Sequence, residues 1–174
     1  MPGLLDWFLS LPTAHPGLRL DLLGGLVLAT ILGGAIGWER EYSRKPAGLR
    51  TNILICMAAT LLTDISVEMA ASASGPADPG RIAAQIVTGV GFLGAGTIIQ
   101  GQGMVTGLTT AATLWIVAAI GMAIGFGAIV EAVGTTFLVL ITLIPLRRVE
   151  DRVELHRRRQ TDVTPPGVGD GGTA

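Results

Sequence analysis

Residues 88–110 read TGVGFLGAGTIIQGQGMVTGLTT. Within them Gly89-Val90-Gly91-Phe92-Leu93-Gly94 satisfies G-x-G-x-x-G, the spacing with which a loop cradles a dinucleotide pyrophosphate. That reading needs a strand before the glycines, a helix after them, and an acid about 20 positions on. The residue at that distance from Gly94 is Leu114, and the next acid is Glu131. The stretch also lies inside a run from Ile82 to Val130, 49 residues without a Lys, Arg, Asp or Glu. Such a run accommodates two membrane spans of about 20 residues each. The glycines therefore read as positions where helices pack, and no dinucleotide or other cofactor is expected.

The composition points the same way. Soluble domains carry roughly 25% charged residues, whereas this chain of 174 carries 14%, with 49% hydrophobic residues and 25 glycines. Its mean hydropathy is +0.59. A soluble chain of this size could not bury so much apolar surface, so the sequence describes an all-α integral membrane bundle. Polar/apolar alternation is absent from the apolar runs, which argues against strands. The formal net charge is −1, and no nucleic-acid partner is expected. The lone Cys56 lies in an apolar run and has no companion for a disulfide or a metal cluster.

Five spans are predicted, at about Leu20–Trp38, Asn52–Ala71, Ile82–Ile99, Thr109–Phe126 and Ala128–Leu146. Residues 1–18 contain LLDWFLSL, which suits a short interfacial helix with Trp7 and Phe8 at headgroup level. Residues 19–146 form the transmembrane domain, and residues 147–174 a basic juxtamembrane segment and a disordered tail. Arg40, Arg44, Lys45 and Arg50 surround the first loop, and six arginines follow the last span, against Arg19 and Arg81 on the other side. That asymmetry places the first loop and the C-terminus in the cytoplasm and the N-terminus outside.

Small residues four apart let helix backbones approach closely. Gly33 and Gly37 meet that spacing in the first span, Gly91 and Ala95 in the third, and Gly121 and Gly125 in the fourth. Gly89, Gly94 and Gly96 extend the small face of the third, where glycine also permits a break near Gly94–Gly96. Polar residues form two stripes. Arg81, Gln85 and Thr88 share one face of the third span, and Thr106, Thr109, Thr110 and Thr113 one face of the fourth. The stripes are expected to face each other or a water-filled cavity, or else to hydrogen-bond within and between helices. Asp64 lies 12 residues past Asn52, so about 18 Å into the membrane. A carboxylate at that depth is a functional candidate or one half of an ion pair, with Arg19 or Arg81 as the other half. Glu39, Arg40, Arg50 and Thr51 flank the first loop, either as a basic topology anchor or as a docking loop and gate. No catalytic constellation can be assembled, because His15 and His156 fall on opposite sides.

Three stretches carry a resemblance. GGAIGWEREYSRKPAGLRTNIL, DPGRIAAQIVTGVGFLGAGTII and GLTTAATLWIVAAIGMAIGFG resemble the membrane domain of the MgtC/SapB family of bacterial inner-membrane proteins. The resemblance runs from about Arg19 to Leu146. It implies a small multi-pass protein linked to growth in low magnesium and, in pathogens, to survival inside macrophages. It also implies regulation of other membrane proteins, with the bilayer and a homodimer or another membrane protein as partners. The alternative is transport of magnesium or another small ion by an oligomer. Many members carry a soluble C-terminal domain, and the 28 residues after Leu146 are too few for one. Asn52 stands where many members have histidine, which argues against a histidine-based proton switch there.

Overall fold

Between Leu20 and the loop at Ser43 the chain has no proline and few β-branched residues, and it forms helix α1, Leu20–Tyr42. Four more helices follow. They are α2 (Leu49–Ser72), α3 (Gly80–Ala95), α4 (Leu108–Gly125) and α5 (Ile129–Ile144). The computed structural model describes residues 19–72, 78, 80–101 and 104–144. The expected interfacial segment at residues 1–18, the basic segment and tail at 147–174, and most of the connector before α3 lie outside the described residues.

Helix α4 touches α1, α2 and α3. Each buries a face with the three-to-four-residue repeat of an α-helix. On α1 that face is Ala29, Leu32, Gly33, Ile36, Gly37 and Arg40. On α2 it begins with Asn52, Ile55, Cys56, Ala59, Thr60 and Thr63. On α4 it includes Leu114, Val117, Ile120, Gly121 and Ile124. The opposite faces carry large exposed apolar residues such as Val27, Ile31, Leu54, Phe92 and Phe137. In water such faces would be a liability, and in a bilayer they are the lipid surface. The molecule is an all-α membrane bundle whose core lies between α1, α2 and α4.

Glycine sets how closely those three meet. A Cβ on Gly33 would lie 2.8 Å from the Cys56 Cβ, and one on Gly37 2.8 Å from the Leu49 Cα. A Cβ on Gly125 would lie 2.6 Å from the Thr60 carbonyl oxygen. Real Cβ contacts do not come this near, so α2 sits against α1 on one side and α4 on the other through backbone contact. Gly94 brings α3 onto Ala111 of α4 at ordinary contact distance, 3.5 Å. By contrast, a Cβ at Gly89 or Gly91 would meet nothing within 4 Å, and one at Gly96 would meet only carbonyls of its own helix end.

The five expected helices are present, and among the described residues three of them, α1, α2 and α4, are by themselves long and apolar enough to cross a membrane, while α5 is a shorter apolar helix. The end of the third span and the absence of strands need correction. Helix α3 has 16 residues and spans about 24 Å at 1.5 Å per residue, short of a hydrocarbon layer of about 30 Å. It ends at Ala95 and does not continue to Ile99, because the Gly94 carbonyl is taken by the Thr97 amide (3.0 Å) and hydroxyl (2.7 Å). Strands do occur. Ile99–Gly101 (β1) pairs antiparallel with Met104–Thr106 (β2), in register Ile99 with Thr106. At the other break, α4 closes with Gly127 at φ +80, Gly127 N–H to Ile124 O and Ala128 N–H to Ala123 O. This Schellman turn starts α5 close to its expected position.

Candidate functional site

Polar groups gather at the two ends of the α1/α2/α4 core. At one end Arg19, just before α1, reaches across to α2. Its guanidinium pairs with Asp64 at 2.8 Å, with Glu68 at very short range, and with Asp21 at 3.4 Å. Desolvation works against the Arg19 charge, the attraction of Asp64 and Glu68 outweighs it, and the guanidinium is held above its ordinary pKa. Asp64 Oδ2 is buried without a partner, as is the hydroxyl of neighbouring Thr63. A cleft of about 540 Å³ opens here, lined among others by Arg19, Asp64, Thr60, Phe126 and Ile129.

At the other end, where α1 turns into α2, Arg40 is 3% exposed and donates from Nη2 to the Thr110 hydroxyl on α4, 3.1 Å away. Glu39 approaches Arg40 only to 3.9 Å. Its Oε1 accepts from the Ser43 hydroxyl at 2.6 Å, and its Oε2 is buried without a partner. A second cleft, about 360 Å³, lies between Arg40, Lys45, the β-hairpin and the first turn of α4.

The other sequence candidates distribute as follows. Arg81, Gln85 and Thr88 lie on the exposed face of α3, and Thr110 and Thr113 are buried on α4. The two stripes therefore do not face each other. Of the two arginines considered for Asp64, Arg19 is the partner. Most helix hydroxyls bond the carbonyl four residues back, among them Thr30, Thr88, Thr113 and Thr136. In a medium without water this satisfies a polar group locally. Arg50 and Thr51 are exposed in the first turn of α2, Thr109 is exposed at the second cleft, and Glu131 is exposed on α5.

Asn52 carries more structure than its sequence suggests. It is fully buried, and its Nδ2 donates to the carbonyls of Ala47 and Gly48, both at 2.8 Å. That amide ties the loop between α1 and α2 to the helix that follows. Loop residue Ala47 is itself held at φ 58. Among the described residues no group of three or more His, Cys, Asp or Glu side chains could hold a metal ion.

The chain is 43% identical over 128 residues to Protein MgtC of Salmonella typhimurium strain LT2, covering 74% of this chain and 53% of that protein. It is 38% identical over 150 residues to an uncharacterized protein of Haemophilus influenzae, covering 82% and 61%. It is 50% identical over 106 residues to the Escherichia coli K12 protein named "Putative magnesium transporter YhiD", covering 59% and 49%. The chain thus spans about half the length of the curated relatives it matches. No solved structure matches it significantly. The matched region of the family model, residues 26–152, takes in the Arg40 end, Asp64 and Glu68 at the other end without Arg19, and the β-hairpin, and on that match the chain belongs to the MgtC family.

Proposed function

We propose that the protein is a non-enzymatic, multi-pass protein of the bacterial inner membrane that acts in adaptation to low magnesium by contacting and regulating other membrane proteins. The observation that carries this reading is the closed interior. The two polar clefts lie at opposite ends, and between them α1, α2 and α4 meet backbone to backbone around Ile36, Cys56, Val117 and Ile120, each at most 1% exposed. A single chain packed this way offers faces to partners more readily than a path to ions.

A second reading is favoured by a different observation. Asp64 keeps one oxygen unpartnered beside a cleft, and one relative bears a name that includes magnesium transporter. In that reading an oligomer moves a small cation past Asp64. One pair of measurements separates the two: growth of a deletion strain in low magnesium with the chain restored, and magnesium flux into proteoliposomes holding the purified chain. The regulatory reading expects restored growth without flux. Flux that disappears in Asp64→Asn would overturn it in favour of transport.

A further inference from the structure

The cleft at the α1–α2 turn has features that regulation by helix faces does not use. We propose that it is an oxyanion site for a phosphate group, formed by Arg40, the first turn of α4 and Lys45.

The first turn of α4 supplies donors. Its N-cap, Gly107, sits at φ +90, and no side chain caps the helix. Any larger residue would collide with Thr97, whose carbonyl carbon lies 2.9 Å from where a Cβ would stand. The backbone is thus pinned to the end of α3, and the leading amides of an 18-residue helix are left to the cleft. Such amides have no intrahelical acceptor and carry the positive end of the helix dipole. Together they favour an anion.

Arg40 supplies the charge, and it independently calls for a ligand. It is 3% exposed, lines the cleft, and its Nε has no hydrogen-bond partner. Among the described residues the carboxylate nearest its guanidinium is Glu39 at 3.9 Å, beyond hydrogen-bond reach. A buried guanidinium with an unmet N–H is costly until an acceptor arrives. A phosphate oxygen suits it, because the planar fork matches two oxygens at once. Lys45 adds a second cation, Thr109 adds a hydroxyl, and no carboxylate is among the described residues lining the cleft.

The space and rim bear on the source. About 360 Å³ exceeds one phosphate group and leaves room for a glycerol. Exposed Ile99, Val105 and Leu108 also line the cleft, as the start of an acyl chain would require. A lipid headgroup and free phosphate share the chemistry that Arg40 and α4 recognise, so the test includes both.

The chain would be purified in phosphate-free maltoside micelles and offered three probes: inorganic phosphate, phosphatidylglycerol, and a galactosyl diacylglycerol that has acyl chains but no phosphate. Native mass spectrometry reads lipid retention, and the thermal midpoint reads inorganic phosphate against chloride at equal ionic strength. Phosphatidylglycerol should be retained in preference to the galactolipid. Lys45→Gln should weaken retention about fivefold, the loss of one cation near the anion. Thr109→Asp places a carboxylate over the same amides, so binding should vanish while the unliganded protein stays folded. Both variants are at exposed positions, which keeps the test independent of a folding defect. A response to phosphatidylglycerol alone identifies a headgroup site, and a response to inorganic phosphate alone identifies a soluble anion. Galactolipid retained equally with no phosphate response, or binding that survives both variants, overturns the proposal.

Discussion

The Thr60 hydroxyl on α2 lies 2.9 Å from the carbonyl oxygen of Gly121 on α4, and 3.0 Å from that of Cys56 on its own helix. The hydroxyl can reach a neighbouring helix because glycine has removed the side chains between them. Gly121 and Thr60 are therefore one device, and they should fail unequally. Thr60→Val keeps the shape and loses the donor, a change of about 1 kcal/mol. A Cβ at Gly121 would lie 2.9 Å from the Ala59 Cβ and 3.1 Å from the Cys56 carbonyl carbon, so Gly121→Ala must push α4 away from α2. That overpacking should cost about 3 kcal/mol. Unfolding in mixed detergent micelles measures both, and a milder effect for Gly121→Ala than for Thr60→Val would contradict the packing.

Arg19 lets the carboxylates of Asp64 and Glu68 sit side by side at the end of α2. Asp64 is the better enclosed, with a side chain 17% exposed against 58% for Glu68. Asp64→Asn should therefore lower the thermal midpoint more than Glu68→Gln. Arg19→Gln leaves a half-buried Asp64 charge uncompensated, so adding Asp64→Asn to it should recover part of the loss. If the double variant is as unstable as the sum of the singles, the pair is not coupled.

The loop between α1 and α2 stores strain that glycine would release. Ala47 adopts φ 58 and Arg44 φ 52, a region that costs non-glycine residues about 1–2 kcal/mol. Part of the gain from glycine is lost to greater freedom of the unfolded chain. Ala47→Gly should thus stabilise by about 0.5–1 kcal/mol. The Asn52 bond to the Ala47 carbonyl is a backbone contact and survives the change. Unfolding midpoints of Ala47→Gly and Asn52→Ala should move in opposite directions.

Much of this architecture was legible because lipid imposes simple rules on sequence. A 49-residue run without charge, and glycines four apart in the first and fourth spans, constrain a chain strongly. The end of α3 was legible in part: glycine permits a break near Gly94–Gly96 and the helix ends at Ala95, whereas the hairpin that follows is set by pairing of Ile99 with Thr106, which spacing along the chain does not show. The polar stripes misled for a related reason. Spacing shows that Arg81, Gln85 and Thr88 share a face, but which face α3 turns to α4 is decided by Ile86, Val90 and Gly94. Arg40 stood among the sequence candidates, yet its contact with Thr110, 70 residues away, exists only once α1 and α4 are packed.

Gly89 and Gly91 provide a last separation of packing from function. Within this chain a Cβ at either meets nothing within 4 Å, and both lie in the middle of α3. Gly89→Ala and Gly91→Ala should therefore leave stability unchanged or raise it by up to about 1 kcal/mol through helix propensity. Gly33→Ala and Gly37→Ala, at backbone contact with α2, should destabilise. The regulatory reading adds a second expectation, that a partner helix uses the open face of α3. Gly91→Leu would then fold as well as the parent chain and fail to restore growth of a deletion strain in low magnesium. Full growth with Gly91→Leu at normal protein levels would show that the partner binds elsewhere, while the stability ranking of the four glycines would stand or fall by itself.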